Sequence, residues 1–403
     1  MKQKLIVIGN GMVGHKFCEK LSAKADKDAF DIAVFGEEPR VAYDRVHLSE
    51  YFHPDKTAES LALADRAWYE ERGIRLILGK RVTAIDRAAR TVTAADGTVH
   101  PYDLLVLATG SAPFVPPIPG ADKKGVFVYR TIEDLDAMKA HAASAKRGAV
   151  IGGGLLGLEA AKAMLDLGIS DTQVIEFAPR LMPRQIDGRG SSVLESKLGT
   201  LGLTIRTNTN TSQILGNGHI EGMRFADDTE IPVDMLVISA GIKPRDELAR
   251  AAGLEVGPRG GITVDSTLAT SDPAIFAIGE CALHQGMIYG LVAPGYEMAE
   301  VAASNLTGGS KTFDGFDMST KLKLIGVDVA SFGDPFAEGS GLRRICFEDT
   351  ARGIYKRINI TDDGTRLLGG ILVGEANSYN LLLQNVVNRL PLPSNPEDLI
   401  LGA

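Results

Sequence analysis

Two stretches of this chain set three glycines at a spacing that lets bare backbone meet a phosphate: Gly9-Asn10-Gly11-Met12-Val13-Gly14 and Gly152-Gly153-Gly154-Leu155-Leu156-Gly157. Each follows an apolar run, opens a helix-like run, and is followed by a second apolar run that ends in a carboxylate. Glu37 lies 28 residues beyond Gly9, and Glu176 lies 24 beyond Gly152. The chemistry needs this arrangement. Small residues admit a pyrophosphate, the helix N-terminus turns N–H groups and a positive dipole toward it, and the acid takes ribose hydroxyls. A lone glycine pattern of this kind often marks only a tight turn. Two complete copies imply two dinucleotides.

The elements that must hold these groups are legible as a repeated strand–loop–helix–strand unit. In the first copy the strand is 5–8, the helix runs to about Leu21, and the second strand is 31–35, ending at Gly36-Glu37-Glu38. In the second copy the strands are 148–151 and 172–175, with a helix between them to about Leu167. A strand-rich meander, 81–107, carries the turn Asp96-Gly97, and another, 204–238, carries Asn217-Gly218. The proline-rich crossing 113–120 reads as a boundary, and further breaks fall near Gly308-Gly309 and Asp314-Gly315. The last stretch is strand-rich and then carries an apolar helical run, 381–387. We therefore expect an α/β protein with two Rossmann-like domains, the second inserted in the first, and a small α+β domain at the C-terminal end. The expected boundaries are 1–115 with 246–312, then 116–245, then 313–403.

Composition narrows the class. The 403 residues carry a formal net charge of −8, which disfavours nucleic acid or an anionic membrane surface as the main partner. A hydrophobic content of 44% suits an ordinary globular protein. The sequence enters its first strand with no signal-peptide pattern, and no apolar run is long enough for a membrane span. The three cysteines, Cys18, Cys281 and Cys346, form no CxxC pair, so neither a disulfide framework nor a metal site is expected. The expected location is the cytoplasm.

Further residues complete a family resemblance: Gly36-Glu37-Glu38-Pro39-Arg40, Tyr43-Asp44-Arg45-Val46-His47-Leu48-Ser49, Ala108-Thr109-Gly110, Gly279-Glu280-Cys281-Ala282 and Gly290-Leu291-Val292-Ala293-Pro294-Gly295-Tyr296. With these the chain resembles, over essentially its whole length, the pyridine nucleotide-disulphide oxidoreductase superfamily. The closer resemblance is to the FAD-binding part of the assimilatory NAD(P)H nitrite reductase large subunit and to rubredoxin and ferredoxin reductases. In that nitrite reductase subunit, iron–sulfur and sirohaem domains follow. Their cysteines are not in this sequence, so nitrite reduction by it alone is not expected.

The resemblance implies FAD in the first cleft and NADH in the second. Gly9, Gly11, Met12, Val13 and Gly14 would meet the FAD pyrophosphate, with Glu37 or Glu38 on the adenosine ribose and Val82 near adenine. Ala108, Thr109 and Gly110 join this cleft. The loop containing Arg45 and Ser49 would run beside the flavin ring, Arg45 meeting phosphate or flavin carbonyls; the bland reading of Arg45 is a surface ion pair. Gly279 and Glu280 would meet the ribityl or phosphate region, Glu280 replacing the usual Asp. Val292 and Ala293, in a segment preceding a helix that runs to about Ala303, would face the flavin end that gains negative charge on reduction. Gly152, Gly154, Leu155, Leu156, Glu176 and Gly241 belong to the second cleft. An acid at Glu176 with no basic pair directly after it favours NADH, and Arg180 and Arg184 keep NADPH open.

Three residues are candidates for the reaction itself. Glu159 follows the second glycine motif by two residues and would point toward the nicotinamide–flavin contact. In related ferredoxin reductases such an acid resembles the partner of a lysine where this chain has Glu50, so that pair is absent. His47 is a candidate proton carrier, with a surface histidine as the bland alternative. Cys281 reads as a buried structural thiol. The expected activity is hydride transfer from NADH to FAD, with electrons passed on to a small iron–sulfur protein, another redox protein or a nitrite-reducing component. An NADH oxidase or diaphorase is the alternative, and a homodimer is left open. The stretch 342–357, with five bases and two acids, is a docking candidate for an acidic iron–sulfur protein, with a solvated strand face as an equal alternative.

Overall fold

The computed structural model describes residues 2–26, 28–53 and 55–401. The chain divides into two compact units, Met1–Ala112 with Ile242–Phe316, and Pro113–Gly241 with Asp317–Ala403. The expected α/β class is what the chain forms.

In the first unit a parallel sheet runs in the order Ile275–Ala277, Leu104–Leu107, Gln3–Ile8, Phe30–Phe35, Ile74–Ile77. Its central strands are unbroken apolar runs because both faces are buried; Leu5, Val7, Val34, Leu105 and Leu107 are fully enclosed. Strand order reverses between Gln3–Ile8 and Leu104–Leu107, where Ile8 pairs with Leu107, so a crevice opens beyond their carboxyl ends. The antiparallel strands Val82–Asp86, Thr91–Ala94 and Val99–Pro101 form the first meander.

Helix Met12–Lys24 leaves the crevice and packs against helix Val292–Leu306. Gly295 permits the approach, since a Cβ there would stand 2.5 Å from Val13 Cγ2. Glu300 ties the pair polarly through Lys24 at 2.9 Å and also meets Lys311, beyond the second helix, at 2.8 Å. The residues 292–296, expected to precede this helix, are instead its first turn, and its end is Leu306 rather than Ala303. Pro294 is tolerated there because a first-turn N–H has no partner within the helix to lose.

The second unit repeats the pattern. Its parallel sheet runs Leu203–Arg206, Asp171–Ile175, Arg147–Ile151, Met235–Ile238, Val126–Val128, and reverses order between Arg147–Ile151 and Met235–Ile238. Thr211–Leu215, Gly222–Phe225 and Glu230–Pro232 make the second meander. The same unit holds a five-stranded antiparallel sheet, ordered Thr320–Leu324, Val327–Gly333, Leu367–Val373, Ile354–Thr361, Leu342–Asp349. Helix Tyr379–Val387 covers it through Tyr379 and Leu382.

Helix Gly188–Thr200 packs on this antiparallel sheet, and a buried polar cluster fixes the join. Asp187 caps the helix through the Gly190 amide at 2.9 Å. It also accepts from Tyr355 Oη at 2.8 Å and Arg357 Nη1 at 2.9 Å. Burial pushes the Asp187 carboxyl up, but these three donors outweigh it and leave its pKa lowered. Two of the five bases in the docking candidate 342–357 are therefore committed to the interior. Arg357 serves Asp187, and Lys356, 4% exposed, pairs with Glu375 at 2.6 Å.

No helix among the described residues is long and apolar enough to cross a membrane.

Candidate active site

The first crevice is built on backbone. Gly9 N–H donates to Phe35 O and Ala108 N–H donates to Ile8 O, each at 2.8 Å, so the glycine loop is pinned between its neighbouring strands. A Cβ on Gly9 would sit 2.1 Å from Ala108 O, and one on Gly14 would sit 2.0 Å from Gly9 O. These two glycines are required by chain meeting chain. Gly11 differs: a Cβ there meets nothing within 4 Å, and Gly11 caps helix Met12–Lys24 with no side chain over the first N–H groups. Open space facing free amides is the cradle that a pyrophosphate needs.

The second unit reproduces every part. Gly152 N–H donates to Ile175 O and Ser239 N–H to Ile151 O, each at 2.8 Å. A Cβ on Gly152 would sit 2.2 Å from Ser239 O and one on Gly157 would sit 1.9 Å from Gly152 O, while Gly154 has nothing within 4 Å. Gly154 caps helix Leu155–Asp166, again without a side-chain bond. Leu155 and Leu156 form its first turn, Glu159 lies one turn further on, and Gly241 takes a left-handed φ of +115° beyond the strand Met235–Ile238.

The two acids are held differently. Glu176 Oε2 accepts from Gly153 N at 2.6 Å and Oε1 from Ala178 N at 2.7 Å. Glu37 is held by guanidinium groups instead, Arg245 at 2.5 Å and Arg81 at 3.7 Å. Glu37 lines a cleft of about 360 Å³ with Gly9, Phe35, Lys80, Arg81, Val82, Thr109 and Arg245. This gathers Gly9, Glu37, Val82 and Thr109, four residues named from sequence, around one cavity. Glu38 is turned elsewhere: it accepts from Tyr43 Oη at 2.8 Å and pairs with Arg45. Arg45 and Glu38 thus form an ion pair, both side chains mostly enclosed.

The remaining candidates fall in smaller groups. Ser111 Oγ donates to Glu280 Oε2 at 2.7 Å, just after the Ala108–Gly110 loop. Gly279 abuts Val13, its Cβ position 3.2 Å from Val13 Cγ1 and Cγ2. Arg45 N–H meets Met12 Sδ at 3.3 Å, so the 43–49 loop lies along the first helix turn. Val292 and Ala293 open helix Val292–Leu306, which likewise has no side-chain cap. His47 Nδ1 lies 2.8 Å from Asp44 Oδ2, and Glu50 pairs with Lys56 at 2.8 Å; these four residues line a second, polar cleft, and Ser49 sits in the short 3₁₀ turn Leu48–Phe52 between them. Cys281 is fully buried, its Sγ near Leu107 O and Ile278 O, and burial raises its pKa.

Arg245 is the cleft-lining residue that sequence reasoning missed. It lies 208 residues from Glu37, in a segment that carries no motif of its own. The one available signal was its place just after Pro244, where the second meander closes and the chain returns to the first unit.

Known proteins resemble this chain over its whole length. Residues 3–305 match the family model described as pyridine nucleotide-disulphide oxidoreductase, and 319–389 match the rubredoxin NAD+ reductase C-terminal domain. The chain is 50% identical over its whole length to the nitrite reductase (NADH) large subunit of Escherichia coli, covering 48% of that protein. It therefore spans about half the length of that relative. It is 35% identical to a probable ferredoxin reductase of Castellaniella defragrans, over 83% of this chain and 86% of that one. Among solved structures, the covalent putidaredoxin reductase–putidaredoxin complex superposes with a TM-score of 0.85 at 26% identity, covering 100% of this chain and 99% of that one.

Proposed function

The chain belongs to the pyridine nucleotide-disulphide oxidoreductase family and is an FAD-dependent NAD(P)H oxidoreductase, and from that premise we propose that it takes hydride from NADH and passes electrons to a separate iron–sulfur protein. The observation that carries the proposal is the duplicated cradle, in which Gly11 and Gly154 alone among the motif's spaced glycines open onto free space. When bound, reduced nicotinamide supplies a hydride and the flavin accepts it and releases electrons singly.

The chain's own residues bind and orient. The Gly9–Gly14 loop and the first N–H groups of helix Met12–Lys24 would hold the FAD pyrophosphate, with Glu37 on ribose and Val82 beside adenine. The uncapped start of helix Val292–Leu306 would offset negative charge at the flavin. The Gly152–Gly157 loop and Glu176 would hold NADH. Both Glu176 oxygens are engaged by amides rather than by a cation, which leaves its charge to oppose a 2′-phosphate and supports NADH over NADPH. Residues 1–115 with 246–312 would form the FAD domain, 116–245 the NAD(P)H domain and 313–403 a third domain, except that 242–245, and with them Arg245, would pass to the FAD domain, in line with the unit division at Ile242. His47, Glu50 and Glu159 remain the candidates for proton handling and cofactor contact.

An iron–sulfur acceptor is supported by the match to the rubredoxin reductase C-terminal domain and by the ferredoxin reductase and putidaredoxin reductase relatives. A nitrite-reducing component is the acceptor that the nitrite reductase relative suggests. The thiol of Cys281 is enclosed and held protonated, which disfavours a thiol-based oxidase. The cysteines are unpaired, in keeping with a reducing cytoplasm. The test is to reduce the protein anaerobically with NADH and then mix it with ferredoxin, rubredoxin or oxygen. Rapid reoxidation by an iron–sulfur protein and slow reoxidation by oxygen is the expected result; the reverse order would make it an oxidase.

A further inference from the structure

The sequence offers Glu37 as a ribose ligand, yet a free carboxylate in the first cleft would repel the pyrophosphate of the same ligand. The structure resolves this with a residue from the far side of the cleft. Arg245 Nη2 lies 2.5 Å from Glu37 Oε2, and Arg81 Nη1 lies 3.7 Å from Oε1. Arg245 is not merely leaning on Glu37 from a mobile loop. Its carbonyl accepts from Thr109 Oγ1 at 2.7 Å, and its N–H donates to Gly110 O at 2.9 Å. Its base is thus fastened to the loop against which Gly9 packs, with Ala108 O 2.1 Å from the Gly9 Cβ position. Next in sequence, Asp246, 2% exposed, takes the Gly261 amide at 2.7 Å and anchors the short helix that contributes Glu247, Leu248 and Ala251 to the same cleft wall.

The pair itself is half-exposed, with side chains 32% and 42% accessible, so it adds little to the stability of the fold. Its geometry serves the ligand instead. A carboxylate has about four acceptor positions, and Arg245 takes one on Oε2, leaving others for the two ribose hydroxyls. The guanidinium also fixes the carboxylate's rotamer before the ligand arrives and balances its charge.

We infer that Arg245 is a positioning residue of the first dinucleotide cleft, acting through Glu37 to orient it toward the ribose diol and to cancel its repulsion of the pyrophosphate. The inference rests on the reading of this cleft as the FAD site. That reading is checked separately with Gly11→Val, which fills the cradle without touching Arg245; if this variant of the full chain still binds FAD normally, the reading of the cleft fails and the inference with it.

With the cleft established, FAD is titrated into the deflavinated full chain of wild type, Arg245→Met, Arg245→Lys, Glu37→Gln and the double variant Arg245→Met/Glu37→Gln, at low and high salt. Arg245→Met should weaken FAD binding about fivefold or more at low salt. Arg245→Lys should restore part of it, and Arg245→Met should have no further effect once Glu37 is Gln. Thermal midpoints of the FAD-free proteins should coincide, which a structural role would not allow. Unchanged affinity in Arg245→Met would overturn the inference. An undiminished loss in the Glu37→Gln background would also overturn it, since Arg245 would then be touching the dinucleotide directly.

Discussion

Glu176 receives the Gly153 amide on Oε2 at 2.6 Å, so the acid at the end of one strand stiffens the glycine loop at the end of its neighbour. The Ala178 amide holds the other oxygen at 2.7 Å, and among the described residues no cation pairs with the carboxylate. Replacing Glu176 with Ala should lower kcat/KM for NADH about tenfold, mainly through KM, while NADPH turnover holds or rises. Steady-state rates with both nucleotides check this. An equal fall for both would mean that Glu176 acts on the loop alone.

The glycines separate binding from folding. Gly11→Val should abolish FAD retention, and Gly154→Val should raise KM for NADH at least tenfold with FAD still bound, because each side chain enters open space. Gly14→Ala and Gly157→Ala should instead yield unstable protein, since their Cβ atoms would press within about 2 Å of a backbone carbonyl. Flavin absorbance and thermal midpoints of the four variants distinguish these outcomes.

Much of this was legible in the sequence, and for a physical reason. The loops at Gly9–Gly14 and Gly152–Gly157 are local solutions: strand, turn and helix start are contiguous, so spacing alone reports them. The central strands could be read from apolar runs because a parallel sheet is buried on both faces. The Arg245–Glu37 pair was not legible, since only the tertiary return of the chain brings the two residues together. Nor was the burial of Lys356 and Arg357, two adjacent charges whose types suit a solvated strand face, yet which pair with Glu375 and Asp187 inside the unit.

The ion cluster at Glu300 makes a pH prediction. Lys311 and then Lys24 pull its pKa down to about 2 from the ordinary glutamate value of 4.5. A depressed carboxylate stabilises the fold above its unfolded pKa, and that contribution is lost as pH falls through the folded one. Glu300→Gln should therefore cost about 1 kcal/mol at neutral pH. The difference from wild type should shrink between pH 4.5 and about 2, as measured by urea unfolding across that range.

Asp187 and Arg357 form the more costly join. Their side chains are only 18% and 10% exposed, so Arg357→Met leaves a largely enclosed carboxylate without its cation, held by the Gly190 amide and Tyr355 alone. The expected loss is about 3 kcal/mol, seen in denaturant unfolding followed by the signal of the second unit. A loss under about 0.5 kcal/mol would show that water compensates Asp187 fully.

The proposed reaction requires a flavin cleft and a nicotinamide cleft on one chain. An anaerobic titration of the purified, FAD-loaded protein with NADH tests it most directly. The visible flavin absorbance should bleach in proportion to added NADH until the flavin is exhausted. A protein that takes up no FAD, or an FAD-loaded protein whose absorbance is untouched by excess NADH, would contradict it.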